Sequence, residues 1–206
     1  MAFVDAVSNS TTAANTDALL FPAISNSLLI VRAGVYLTAS GSNSHAINAP
    51  ADNLTLAMDG YAAAENASAI LFTAHSEILI GASGVVASGD RAIEGSGSDN
   101  EIINNGSLAS NGYGIYLASS GHTVTNNGAI LSGSLSGIFI AEGNSRVTNA
   151  GVLTTGGAGI SILVVGTLSN SLVTNSGQIN ADYIGISLQG SDVLVSNSGT
   201  IQSIAC

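Results

Sequence analysis

The sequence predicts an all-β fold, a parallel β-helix (β-solenoid) with about 22–23 residues and three strands in each coil. Three observations support this prediction. A turn motif recurs at nearly constant spacing, a second apolar motif recurs in phase with it, and the repeats are rich in Gly, Ser, Asn, Thr and β-branched residues. A helical solenoid would need better helix formers and a 3.6-residue apolar period.

The turn motif is Asn-x-Gly, which occurs five times at intervals of 22, 23, 26 and 22 residues. Apolar residues stand two positions before each Asn and two positions after each Gly, so each copy is a turn between two strands. Glycine suits a sharp corner where positive φ is tolerated, and stacked Asn side chains can hydrogen-bond to each other. The predicted structural corner consists of Asn104, Gly106, Asn126, Gly128, Asn149, Gly151, Asn175, Gly177, Asn197 and Gly199.

A Gly-Ile-x-apolar motif lies between the turns, at 114–117, 137–140, 159–162 and 185–188. Counting back along the chain by successive periods, the Ile of this motif corresponds to Ile93, Ile70 and Ile47. The glycine of the turn motif corresponds in the same way to Gly84, Gly60 and Gly34. The repeat therefore predicts a solenoid of about seven to eight coils over residues 28–206. The chirality of parallel crossovers predicts a right-handed winding. Residues 1–27 break the repeat and are expected to form an N-terminal cap, either irregular or a short helix.

The composition excludes several classes of function. The chain has 13 acidic residues, three Arg and no Lys, with a net charge of −10, so it lacks the basic surface that nucleic acids require. No apolar stretch approaches the roughly 20 residues of a membrane-spanning helix, so membrane insertion is not expected. The single Cys206 cannot form an internal disulfide framework or a Cys-rich metal site.

The sequence predicts no catalytic residue, no metal site and no cofactor. Solenoid enzymes that process acidic polysaccharides need several carboxylates beside Arg or Lys. Here Arg32, Arg91 and Arg146 fall in different coils, and the only acidic cluster, residues 90–101, is typical of solvated turns. The three histidines occupy different positions in their coils. Polysaccharide binding or processing by a lyase-like or epimerase-like β-helix is the alternative.

Two outward files of side chains suggest contact surfaces. The first contains Leu71, Tyr116 and Phe139, with Tyr116 next to Phe139, and could contact a protein or a glycan unless a loop covers it. The second reads Thr125, Thr148, Thr174 and Ser196, with Ile103, Gly81 and Ala57 as its expected upstream equivalents. Regular threonines suggest ice binding as a third possibility, although threonine also simply favours strands.

The units at 123–130 and 172–179, each followed by a Gly-Ile pattern, resemble the strand repeats of large bacterial surface and secreted proteins. These include haemagglutinin-like adhesins, autotransporter passengers and hemolysin-type calcium-binding proteins. The resemblance covers residues 28–203 and implies an extracellular or cell-surface bacterial module with a non-catalytic structural or adhesive function. The calcium-binding nonapeptide of the last group is absent, and residues 95–100 resemble it only weakly.

The C-terminal coil is expected to lack a cap. The repeat runs through Val195, Asn197, Gly199 and Ile201 and ends a few residues later. An uncapped coil exposes strand edges and a section of the core together, which favours pairing with another chain. We therefore expect self-association through this coil, either head-to-head as a symmetric dimer or end-to-end as a fibre. A Cys206 pair could lock the dimer under oxidising conditions.

Overall fold

A computed structural model describes residues 3–6, 8–12, 16–20, 24–163 and 170–204, which contain 26 β-strands and no helix. Over this part of the chain there is consequently no helix that could cross a membrane. The strands form three parallel sheets of nine, nine and eight strands. Each strand pairs with the strand three places further along, so the chain visits every sheet once per coil. The predicted three-stranded parallel β-solenoid is confirmed, with eight coils and two strands of a ninth.

The sheets are numbered by the order in which each coil enters them. The first sheet contains β1 (Phe3–Ala6), β4 (Ser27–Val31), β7 (Leu54–Met58), β10 (Glu77–Ile80), β13 (Glu101–Asn104), β16 (Thr123–Asn126), β19 (Arg146–Asn149), β22 (Leu172–Asn175) and β25 (Leu194–Asn197). The second contains β2 (Ser10–Thr12), β5 (Tyr36–Ala39), β8 (Tyr61–Ala64), β11 (Val85–Ser88), β14 (Ser107–Ser110), β17 (Ala129–Ser132), β20 (Val152–Thr155), β23 (Gln178–Ala181) and β26 (Thr200–Ser203). The third contains β3 (Leu19–Leu20), β6 (Ile47–Ala49), β9 (Ile70–Phe72), β12 (Ile93–Gly95), β15 (Ile115–Leu117), β18 (Ile138–Ile140), β21 (Ala158–Ile162) and β24 (Ile184–Leu188).

Inward side chains of the three sheets form one continuous core. Buried positions alternate with more exposed ones along the strands, as the two-residue period of a strand requires. Val147 in the first sheet and Ile160 in the third are both fully buried. The Ile file of the third sheet stacks in the predicted register, from Ile47 through Ile70 and Ile93 to Ile186.

Two upstream alignments predicted from the sequence are wrong. Val35, rather than Gly34, lies beside Gly60, because the neighbouring residues Tyr36 and Tyr61 are paired. Leu79, rather than Gly81, pairs with Ile103. The cause is the length of the corner between the first and second sheets. Some coils have two residues there, such as 105–106, and others have four, such as 81–84, so counting by a constant corner misplaces the earlier coils.

Where residues 1–27 of the expected N-terminal cap are described, they include short strands instead of the expected irregular segment or short helix. Residues 3–6, 10–12 and 19–20 form short strands that pair in parallel with the second coil. Val4, Ala6 and Leu19 pack against the core, so these strands extend it by a further coil. Asp5 and Arg32 form an ion pair of 2.6 Å between the two coils, and this holds the pKa of Asp5 below its usual value. Phe21 and Pro22 lie outside the described residues.

Candidate functional site

The Asn side chains of the Asn-x-Gly corner form a hydrogen-bonded ladder inside the solenoid. Each Nδ2 donates to the Oδ1 of the Asn one coil further on, at 2.7 or 2.8 Å. The ladder runs through Asn104, Asn126, Asn149, Asn175 and Asn197, and the first four are fully buried. Because each interior amide both donates and accepts along the file, these polar groups are buried with their hydrogen bonds satisfied. The earlier coils carry apolar residues at the same position, ending with Ile80.

The glycines of this corner are required by close packing. A Cβ atom on Gly106, Gly128, Gly151, Gly177 or Gly199 would lie less than 3.0 Å from the backbone carbonyl oxygen of the corner glycine in the preceding coil. None of these five has the positive φ expected from the sequence, and among the described glycines positive φ occurs at Gly34, Gly41, Gly121 and Gly190. The expected reason for glycine was therefore wrong: the corners nest too closely for any side chain.

A different corner, just before the first sheet, carries the left-handed backbone. Its residues stack in one file and have φ between 55° and 81°: Asn26, Asn53, His75, Asp99, Gly121, Asn144 and Asp192. Asn, Asp and Gly tolerate this conformation best, which explains the composition of the file. Since the residue types differ from coil to coil, no repeated motif marks this corner in the sequence.

A second polar ladder lies one residue further along, on the inward side. Here the backbone N–H of one coil donates to the side chain of the next coil. Ser76 donates to Asn100 Oδ1 at 2.9 Å, Asn100 to His122 Nδ1 at 3.2 Å, and His122 to Ser145 Oγ at 3.1 Å. This ladder was not predicted from the sequence, because Ser, Asn and His have in common only a side-chain acceptor atom and a buried position in the coil. Its side chains are all buried.

His122 is the one titratable rung described in this ladder, and it is neutral. Its Nδ1 accepts a hydrogen bond, which places the ring proton on Nε2. Nε2 is buried without a hydrogen-bond partner in the described structure. Burial lowers the pKa of His122 to about 4, although the Ser119 carbonyl and the charge of Asp99 act in the opposite direction.

The outward file of the third sheet brings Tyr116 and Phe139 together. Their rings are nearly parallel, at 8°, with centroids 5.4 Å apart. Tyr113 leans against both rings, with centroids 5.2 Å from each. Tyr116 and Phe139 are half-buried by these contacts. Leu71 belongs to the same file but is separated from Tyr116 by Glu94.

Arg91 completes this surface from the coil that contains Glu94. Its guanidinium carbon lies 4.4 Å from the centroid of Tyr116, within cation–π range. Arg91 Nη1 donates to Glu94 Oε1 at 2.6 Å, and Ser68 Oγ donates to Glu94 Oε2. We refer to Arg91, Glu94, Tyr113, Tyr116 and Phe139 as the aromatic cluster. The contact between its two central rings was predicted from the sequence. The contributions of Tyr113 and Arg91, which lie outside the β-strands, were not.

In the part of the chain that the structure describes, the remaining charged residues do not assemble into one site. The predicted acidic cluster is divided, because Glu94 faces outward from the third sheet and Glu101 from the first. Asp99 lies at the left-handed corner, 3.6 Å from His75. Within the described ranges, no three His, Cys, Asp or Glu side chains lie close enough together to hold a metal ion. The file of Thr125, Thr148, Thr174 and Ser196 is in register on the outer face of the first sheet.

Comparison with protein-family models, with curated proteins and with solved structures gives no match to this chain.

Proposed function

We propose that the chain is a non-catalytic structural or adhesive module of a bacterial surface or secreted protein, and that it acts outside the cell. The observation that carries the proposal is the aromatic cluster on the outer face of the third sheet. The rings are fixed by sheet register and by contacts with each other, so little side-chain entropy is lost when they meet a partner. Aromatic and Arg side chains are also the types enriched where binding energy concentrates.

The interior of the solenoid supports the structural part of the proposal. A continuous core runs through the stacked coils, and each of the two ladders joins several neighbouring coils by hydrogen bonds. Such a stack is stabilised by interfaces between neighbouring coils and forms a stiff support for an outward surface. The resemblance of the units at 123–130 and 172–179 to bacterial strand repeats supports the extracellular location.

Adhesion can be tested with beads coated with the purified chain and exposed, under flow, to surfaces coated with mucin or with bacterial cells. We expect coated beads to be retained, and Tyr116→Ser with Phe139→Ser to reduce retention by about tenfold or more, since many weak contacts act together. Tyr36→Ser with Tyr61→Ser is the matched control, because it removes an outward aromatic pair from the second sheet. Equal retention of the cluster variant and the parent would contradict the adhesive proposal.

The non-catalytic part has its own test. Incubation with uronate polymers should give neither cleavage nor epimerisation, because Arg91 is held by Glu94 and lies over Tyr116. Sustained turnover that disappears in Arg91→Ala would replace the structural proposal with the enzymatic one.

A further inference from the structure

In the described part of the third sheet, the stack of rings ends at Phe139, because the residues that follow it in the file are not aromatic. Tyr116 lies between Arg91 of the preceding coil and Phe139 of the following coil, so both of its faces are used. Phe139 stacks on Tyr116, and Tyr113 contacts it at a tilt. On its other side, the next residues in the file are Ser161 and then Ser187. A serine side chain is too short to cover a phenyl ring. The file therefore changes from a large aromatic side chain at Phe139 to short hydroxyl side chains in the next two coils.

An aromatic ring followed by hydroxyl side chains is a surface that suits a sugar ring. The axial C–H groups of a pyranose carry partial positive charge and match the negative face of an aromatic ring. The hydroxyl groups of Ser161 and Ser187 can each donate and accept hydrogen bonds, as the hydroxyl groups of a sugar require. A chain of sugars lying along the solenoid axis would meet the ring first and then successive hydroxyl groups, one per coil.

The charges of the site favour a neutral sugar. The guanidinium of Arg91 is paired with Glu94 at 2.6 Å and lies 3.8 Å from a carboxylate oxygen of Asp90, so its charge is already neutralised. The whole chain carries a net charge of −10, which repels uronates, sulfates and phosphates. A neutral ligand avoids this repulsion and needs no cation from the protein.

We propose that the face of Phe139 next to Ser161 binds a pyranose ring of a neutral glycan. This inference rests on the proposed adhesive function and names the class of ligand for the same surface. Tyr116 and Tyr113 contact the Phe139 ring, and Arg91 packs over Tyr116. Ser161 and Ser187 line the path of the glycan.

The test is NMR titration of the full chain with maltohexaose, cellohexaose and chitohexaose, with hexagalacturonate as the acidic comparison. We expect at least one neutral hexasaccharide to bind, Phe139→Ser and Phe139→Leu each to weaken that binding by about tenfold or more, and Tyr36→Ser to leave it unchanged. The serine variant introduces at position 139 the same residue type that Ser161 supplies at the paired position of the next coil. The leucine variant retains apolar bulk without the ring. Binding of the neutral sugar should not depend on salt, because no net charge is neutralised.

The outcomes separate the two proposals. If none of the three neutral sugars binds, or if hexagalacturonate binds more tightly, the inference is overturned. If beads adhere through the cluster and the sugars do not compete, the partner is a protein and the adhesive function stands without the glycan. If a neutral sugar binds at Phe139 and beads do not adhere, the glycan site stands and the adhesive function does not.

Discussion

The carbonyl oxygen of Gly106 occupies the space in which a Cβ atom on Gly128 would lie. The three atoms nearest to that Cβ are all backbone atoms of the preceding coil, which cannot rotate away as a side chain would. We therefore expect Gly128→Ala to force the two coils apart and to reduce the free energy of unfolding by about 3 kcal/mol.

Gly34→Ala is the control for that substitution. Gly34 has a φ of +83°, and a Cβ there would meet nothing within 4 Å, so only the backbone conformation is penalised. A cost of about 1 kcal/mol is expected. Urea unfolding of both variants measures the difference, and an equal cost for both would show that conformation rather than space governs the Asn-x-Gly corner.

His122 makes the stability of the fold depend on pH. Its pKa is about 4 in the folded protein and near 6.5 when exposed, so the unfolded chain binds more protons between these values. The free energy of unfolding should therefore be highest above pH 6.5 and fall by about 3 kcal/mol as the pH decreases to about 4. Unfolding measured at a series of pH values tests this slope.

His122→Asn isolates that contribution, because Asn100 already fills the preceding rung of the ladder and accepts from Ser76. The variant should fold and lose the slope between pH 6.5 and 4. His75→Asn is the control, since Asn53 and Asn144 occupy equivalent left-handed positions. If the slope of His122→Asn matches that of the parent, other groups cause it.

The Asn ladder behaves as a chain of shared hydrogen bonds, so position within it should matter. Asn126→Ala removes the acceptor of Asn104 and the donor to Asn149 together. It leaves two buried amides incompletely bonded and should reduce the free energy of unfolding by about 3 kcal/mol. Asn104→Ile removes the donor to Asn126 and places a second isoleucine beside Ile80, so we expect about 1 kcal/mol. Equal losses, measured by thermal unfolding, would show that the amides contribute independently.

The repeated elements were predictable from the sequence because repetition marks them. The Asn-x-Gly and Gly-Ile motifs gave the strands of coils five to eight in the correct register, and the Asn side chains meet as the spacing indicated. The four-residue corners at 32–35 and 81–84, where the later coils have two residues, displaced the predictions for Gly34 and Gly81. The first coil was missed because its strands are only four, three and two residues long and carry neither motif.

The candidate site was only partly predictable for a different reason. Register placed Tyr116 beside Phe139, as the sequence suggested. Tyr113 and Arg91 lie in corners whose shape does not repeat from coil to coil. Their contacts could therefore not be predicted from the spacing of the repeats. The second ladder likewise depends on a shared position rather than a shared residue type.

The ninth coil changes the surroundings of the core at one end of the solenoid. Val173 and Ile179 are fully buried, whereas their equivalents Val195 and Ile201 are 44% and 38% exposed. Among the described residues, Asn197 Nδ2 donates to the carbonyl oxygen of Gly199 at 3.3 Å and to no Asn of another coil. Strand edges, apolar side chains and an open ladder therefore face the same direction.

We predict that the purified 206-residue chain self-associates through this surface. Light scattering in reductant should show a mass above that of the monomer, and Val195→Lys with Ile201→Lys should restore the monomer by placing charges in the contact. Leu131→Lys with Val152→Lys is the control, because these exposed residues lie on the outer face of the second sheet. A monomeric parent at high micromolar concentration would contradict the prediction. Cys206, the expected lock of such a dimer, lies outside the described residues.

The change from Ile80 to Asn104 within one file divides the coils into two groups. The earlier coils have an apolar residue at this position and the later coils have Asn, so a coil of one group cannot simply replace a coil of the other. Duplicating a coil from the Asn-containing group would add another amide that both gives and receives a hydrogen bond, so the protein could lengthen by gene duplication without a new unsatisfied group. Inserting a coil from the earlier group would place an aliphatic side chain between two amides and interrupt their exchange. Recombination among repeats is therefore tolerated best among the C-terminal coils that carry the Asn ladder. The extent of the ladder marks the coils that can be duplicated.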